Sequence, residues 1–195
     1  MVCKLSDEYK GEKGVRSMQI IRDTTEFNLK NSCVTLGKFD GVHLGHRKLI
    51  STVVKDKEHL AVVFTFDPLP DAPMKKLNPI YTDEEQEKVL AGLGVQVLIR
   101  YPFSKKEAAM SAEDFVKNVL IGQLDAKHIV VGNDFHFGHA CMGDYHLLEA
   151  LSEVYGYQLT VHDKLKFDGE EISSSRIRTC IETGDMNAAD YMLGK

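Results

Sequence analysis

An α/β fold, a mostly parallel sheet covered by helices on both faces, is what this sequence predicts, and three observations predict it. Five short runs rich in β-branched and aliphatic residues are separated by runs of helical period. Their order, β-α-β-α-β-α-β-α-β, is that of a Rossmann-like sheet. The loops after the first, second and fourth strands hold most of the unusual residues, and ligands of open parallel sheets bind outside the carboxyl ends of strands.

The elements follow in chain order. Residues 1–17, MVCKLSDEYKGEKGVRS, are polar and rich in Lys and Glu, and read as a flexible leader. Met18 opens the strand-like MQII, so residues 18–195 are expected to form one domain. The first strand runs from Cys33 to Leu36, and a helix is expected from about His46 to Lys57. Leu60 to Phe66 is the second strand. Thr82 or Asp83, with glutamates following, starts a helix over Asp83 to Leu93 that Gly92 and Gly94 end. Val95 to Arg100 is the third strand, and Ser111 with Asp114 forms a capping box for a helix reaching Gly122. His128 to Val131, the helix Tyr145 to Tyr155, and Gln158 to His162 complete the alternation. In the tail, Asp168-Gly169 between two short extended pieces is a hairpin signal, and SSSRIRTCIETGD is a short helix. That hairpin is a candidate flap over a site.

Composition excludes several classes. The net charge of −5, with no stripe of Lys and Arg along any predicted helix, argues against a nucleic-acid binder. The longest apolar runs, such as AVVFTF, are far too short to span a bilayer, and the N-terminus lacks the apolar core of a signal peptide. A cytoplasmic place without membrane partners is expected. Cys3, Cys33, Cys141 and Cys180 are scattered without a CxxC pair, so reduced thiols are expected rather than a zinc clip.

The loop GKFDGVHLGH carries the chemistry. Gly37, Gly41 and Gly45 let backbone approach a ligand, and His46 sits where a helix begins with unpartnered amides. Such an end favours an anion, and His43 and His46 can donate to phosphate oxygens. Neither Walker A nor GxGxxG spacing is present. Ordinary loop histidines, a metal site of Asp40 with both histidines, and a histidine nucleophile are the competing readings. Far downstream, ISSSRIR offers three serines and two arginines where a helix starts, and capping explains only one serine. A second HxGH, His136 to His139, lacks an immediate helix because Gly143 and Asp144 precede Tyr145.

GKFDGVHLGH resembles the HxGH signature of the nucleotidylyltransferase superfamily. VVFTFDPLP, VVGNDFHFG and EISSSRIR, in that order, resemble motifs of its FAD synthetase branch, the adenylyltransferase module of bacterial bifunctional riboflavin kinase/FMN adenylyltransferases. The resemblance covers about Cys33 to Lys195. It implies the nucleotidylyltransferase fold and AMP transfer from MgATP to FMN, giving FAD and pyrophosphate. By the same resemblance His43, His46 and Arg178 are catalytic, and Gly37, Phe39, Asp40, Gly41, Gly45, Gly132, Ser174 and Ser175 bind ATP. Phe66, Asp67, Pro68, Asp134, Phe135, Phe137 and Gly138 lie on the flavin side, and Arg176 falls at a variable position with a surface role. Mg2+ arrives with the nucleotide, with no set of protein metal ligands implied.

Lys38 stands where the family usually has asparagine, and Leu69 where it usually has histidine. The YMLGK segment matches the end of the adenylyltransferase module, so no riboflavin kinase domain is expected. The rivals are another HxGH transferase with a different phosphorylated acceptor, a catalytically weak flavin-nucleotide binder, and a metal-dependent hydrolase.

Overall fold

The computed structural model describes residues 8–9, 17–73 and 78–195. Its elements are β1 (Glu8–Tyr9), β2 (Met18–Arg22), β3 (Ser32–Leu36), α1 (Leu44–Lys55), β4 (Leu60–Pro68), α2 (Asp83–Gly92) and β5 (Val97–Phe103). They continue with α3 (Lys105–Ala108), α4 (Ala112–Asp114, prolonged by π-helical Phe115–Ile121), β6 (Ala126–Gly132), α5 (Tyr145–Tyr155) and β7 (Gln158–His162). The hairpin β8 (Lys166–Phe167) and β9 (Glu170–Glu171) leads to α6 (Ser174–Thr183) and α7 (Met186–Leu193).

Seven strands make one sheet in the order β1-β2-β5-β4-β3-β6-β7. All neighbours are parallel except β1, which runs antiparallel to β2. Every residue of β3 is buried, as expected of a strand with helices on both faces. Val34 and Leu36 join Phe64, Ile99, Phe115 and Leu148 in one core, while Cys33 and Val63 join Ile50, Val53 and Leu90 in another. The two-residue period of the strands divides the apolar set between these cores. A third cluster, Ile172, Ile177, Met192 and Leu193, binds α6 and α7 to Leu44 and Ile80.

This is the expected Rossmann-like arrangement, and its topology places the site. The chain steps from β3 through β4 to β5, then crosses back past β3 to lay down β6. The loops after β3 and β6 therefore diverge at the switch point, where parallel sheets open a crevice.

Several boundaries differ from expectation: β5 runs from Val97 to Phe103 rather than from Val95 to Arg100, and β6 from Ala126 to Gly132 rather than from His128 to Val131. β4 extends to Pro68, so Asp67 and Pro68 are strand residues opposite Pro102 and Phe103. α1 starts at Leu44 rather than His46 because His43 supplies its cap. The helix expected to run to Gly122 turns to π spacing after Asp114, with bonds such as Gly122 N to Lys117 O at 3.0 Å. Of the expected leader, Glu8–Tyr9 pair with Gln19 and Met18 as a short ladder; apart from Ser17, the rest lies outside the described residues.

Candidate functional site

The first loop is held in a strained path. Phe39 (φ 50°), Gly41 (φ 76°) and Val42 (φ 40°) all lie in the left-handed region. For a buried aromatic and a β-branched residue this costs of order 1–3 kcal/mol each, so the surroundings must impose it. Val42 N donates to Phe39 O (3.1 Å), and Arg47 Nε to Val42 O (3.1 Å). Gln86 Nε2 donates to both Lys38 O (3.2 Å) and Phe39 O (3.0 Å), and Thr65 Oγ1 to Lys38 O (3.3 Å). At Gly41 a Cβ would sit 3.1 Å from the Ile80 and Leu193 side chains, so glycine serves space as well as φ.

His43 caps α1: its Nδ1 accepts from His46 N at 3.3 Å. That bond leaves the neutral ring with its proton on Nε2. The two imidazoles stack with centroids 3.6 Å apart, and Phe39 meets His46 edge-on at 5.1 Å. Burial lowers the His43 pKa to about 4, against the pull of Asp40 and Asp134. Burial, and then His43, hold His46 well below the ordinary imidazole range. Both rings are neutral near pH 7, so each offers one N–H rather than a full charge. His46 Nδ1 is buried without a hydrogen-bond partner.

The distant serine-arginine motif meets this loop. Ser173 caps α6 by accepting from Arg176 N (3.2 Å), which frees Ser174 Oγ to donate to Asp40 O (2.9 Å). Arg178 pairs with the Asp40 carboxylate and donates from Nε to Asn78 O at 3.0 Å. The other Asp40 carboxylate oxygen accepts from Ile80 N (2.8 Å). Asp40 is therefore committed to protein donors, and His43 Nδ1 to its cap, which removes the shared metal site of Asp40 and the two histidines. Arg176 departs from its expected surface role. It donates to Phe167 O (2.8 Å) and Glu170 O (3.1 Å), pinning the hairpin to α6.

A cavity of about 1000 Å³ opens beside these groups, at the upper end of the usual range for small-molecule sites. Of the expected residues, Gly37, Phe39, His46, Phe66, Gly132, Asp134, Phe135, Phe137 and Gly138 line it. Phe66 meets Phe103 edge-on at 5.3 Å, and Phe135 stacks on Phe137 at 5.5 Å. Gly138 (φ 73°) packs so closely on α4 that a Cβ would lie 2.6 Å from Ala112 Cα. Asp40, Gly41, His43, Gly45, Ser174, Ser175 and Arg178 gather instead around the starts of α1 and α6, outside this cavity's lining. Asp67, Pro68 and Leu69 do not line it either, whereas Lys38 does.

Lys164 ties the hairpin to the β6 loop, with Nζ 3.0 Å from Asp134 and 2.8 Å from Glu171. Four contributors carry no motif signal in the sequence. Tyr101, Phe103 and Lys105 line the cavity from the end of β5, a loop the carboxyl-end rule covers equally. Gln86 is buried on α2 one turn before Leu90, a polar residue on an apolar face. Among the described residues, one tight Cys/His/carboxylate cluster exists, Cys33, Asp56 and His128, near the amino ends of β3 and β6. Its hydrogen bonds are already made: His128 Nδ1 and His59 Nδ1 reach Asp56 Oδ2 at 2.9 and 2.8 Å, and His128 Nε2 reaches Thr160 Oγ1 at 2.8 Å.

Residues 25–176, which include both histidines and most of the serine-arginine motif, match the FAD synthetase family. The chain belongs to that family. FAD synthetase from Listeria monocytogenes is 34% identical over 168 residues, covering 83% of this chain and 68% of that protein. The bifunctional riboflavin kinase/FMN adenylyltransferase of Buchnera aphidicola from Acyrthosiphon pisum is 35% identical over 187 residues, covering 91% and 59%. The chain thus spans about three fifths of the bifunctional relative's length. Among solved structures, one described as a macrolide-efflux protein from Streptococcus pneumoniae superposes with TM-score 0.75 at 28% identity, covering 91% of this chain and 62% of that one. Pantoate-beta-alanine ligase from Francisella tularensis shares the fold, with TM-score 0.51 and 16% identity over 80% of this chain and 69% of its own.

Proposed function

We propose that this FAD synthetase family member is an FMN adenylyltransferase, transferring the AMP moiety of ATP to FMN and releasing pyrophosphate. The observation that carries the reading is the aromatic cavity opening beside two neutral, stacked imidazoles at a helix entrance on the switch point. A flat flavin suits the Phe66, Phe135 and Phe137 wall. The free amides of α1 and α6 suit polyphosphate, and Gly37 and Gly132 let it approach.

The FMN phosphate attacks the α-phosphorus in line, the bond to pyrophosphate breaks, and the electron pair leaves with it. With a second phosphate pKa of about 6 the nucleophile is already largely ionised, so the chain needs no strong base. This agrees with imidazoles that burial keeps neutral. His43 and His46 donate N–H groups to oxygens that gain charge, and positioning with charge stabilisation does most of the work. Ser174, Ser175 and Arg178 hold the leaving pyrophosphate. Because Arg178 shares its charge with Asp40, it also locks α6 to the first loop.

The hydroxyl oxygens of Ser174 and Ser175 at the start of α6 are hard donors that would suit Mg2+ arriving with ATP. When bound it supplies charge neutralisation on the phosphates. Leu69, like Asp67 and Pro68, lies outside the cavity lining among the described residues. A cytoplasmic place and small-molecule partners belong to the same proposal. Among the described residues, Cys33, Cys141 and Cys180 are free, and no helix is long and apolar enough to cross a membrane.

Incubation of the purified protein with MgATP and FMN, followed by chromatography, is expected to yield FAD and pyrophosphate in equal amounts. No FAD, or product only with a different phosphorylated acceptor, overturns the reading.

A further inference from the structure

The strained first loop rests on a buried polar chain that begins at the far side of α2. Arg100 on β5 is 5% exposed, and its charge is met by Glu87 (Nε to Oε1, 2.8 Å) and Asp83 (Nη1 to Oδ1, 3.1 Å). Its Nη2 donates to Gln86 Oε1 at 2.9 Å. That bond fixes the orientation of the carboxamide, because the amide nitrogen must then face the other way. Gln86 Nε2 does so, and donates to Lys38 O and Phe39 O. These carbonyls flank the residue whose left-handed backbone begins the turn into His43, and the Phe39 ring packs against His46.

We propose that Gln86 is a positioning residue for AMP transfer: its two donated hydrogen bonds hold Phe39, and through it the His46 imidazole, where the reacting phosphates need an N–H donor. The inference rests on the adenylyltransferase reading. It concerns the donor end of the carboxamide, not burial of Gln86 as such. Misplacing a catalytic group by about 1 Å from a distance can cost ~10²-fold in rate, so a loop held only by its own strain would be costly.

Gln86→Glu separates the two ends of the carboxamide. The carboxylate keeps an acceptor for Arg100 but presents oxygen to two carbonyls that lose their donor. Gln86→Met, of similar size, removes both ends and serves if the first variant folds poorly. The turnover of each is measured with MgATP and FMN and divided by the concentration of ATP-binding sites from calorimetric titration, so that misfolded protein does not count. Turnover per site is expected to fall at least fivefold, about 10- to 100-fold, while KM for FMN stays within about threefold. The imidazole resonances of His46 are expected to shift in the same variants. A fall of less than fivefold, or equal losses appearing wholly in KM, overturns the role of Gln86. Failure of the unsubstituted protein to make FAD overturns the underlying reading instead.

Discussion

The chain contains the pattern His-x-Gly-His twice, and the two copies behave as different chemical objects. In the first, His43 and His46 stack at 3.6 Å, and His43 caps a 12-residue helix with its own ring nitrogen. In the second, His136 and His139 are exposed, and their Nδ1 atoms face the carbonyls of Asp134 (3.0 Å) and Ala108 (3.1 Å). Only a short 3-10 turn follows, interrupted by Ala140 at φ 51°, and α5 begins later under its own Asp144 cap. Three shared letters in four make a candidate phosphate site only where burial removes competing water and a long helix supplies free amides.

The sharpest way to break this contrast is to remove one histidine from each copy. His46→Ala is expected to lower turnover by ~10²-fold or more, in line with losses of single transition-state donors. His139→Ala should stay within about threefold by the same assay, since its ring is exposed and bonded to a carbonyl. Equal losses would show that the helix entrance confers nothing special.

The pH dependence of stability comes next. His43 falls from an ordinary 6.5 to about 4 on folding because burial disfavours its charge. The unfolded chain therefore binds the proton more readily. The contribution is complete above about pH 6.5 and is lost as pH falls through that value toward 4. Thermal melting followed from pH 7 to 4.5 should show a declining Tm. His43→Asn keeps a good cap while removing the titration, and should flatten part of the slope.

Capping itself predicts a smaller effect. At pH 7, His43→Ala should cost about 1 kcal/mol of unfolding free energy in denaturant titration, where His43→Asn costs a few tenths. The smallest effect is expected at Lys164, whose ion pairs with Asp134 and Glu171 lie near the surface. Lys164→Ala should lower stability by less than about 1 kcal/mol, and by less still at high salt.

Much of this was legible in the chain. The β-branched runs located β3 to β7, and in β3, covered on both faces, there is no polar alternation to confuse the pattern. Thr82 and Glu85 form the reciprocal cap their spacing implies, and Asp168-Gly169 turns the hairpin with φ 51° and 79°. The π turn at Phe115–Ile121 was not legible, because apolar residues within one turn fit either helical period. Nor was the division of labour among the serines, in which Ser173 caps and Ser174 reaches Asp40. That division depends on which hydroxyl happens to face a loop more than 130 residues earlier, a fact of packing and not of pattern. Gln86 shows the same limit: its helix position was readable, but the carbonyls it would meet were not.

The join between Asp40 and Arg178 spans 138 residues. At synthesis rates of 5–20 residues per second, roughly 7–28 s separate the emergence of these two partners from the ribosome's catalytic centre. Through that interval the nascent chain already contains both histidines, but the arginine that closes their loop does not yet exist. The glycine-rich loop therefore waits unclosed while β4 to β9 are made, and the candidate site is joined only once α6 has been synthesised.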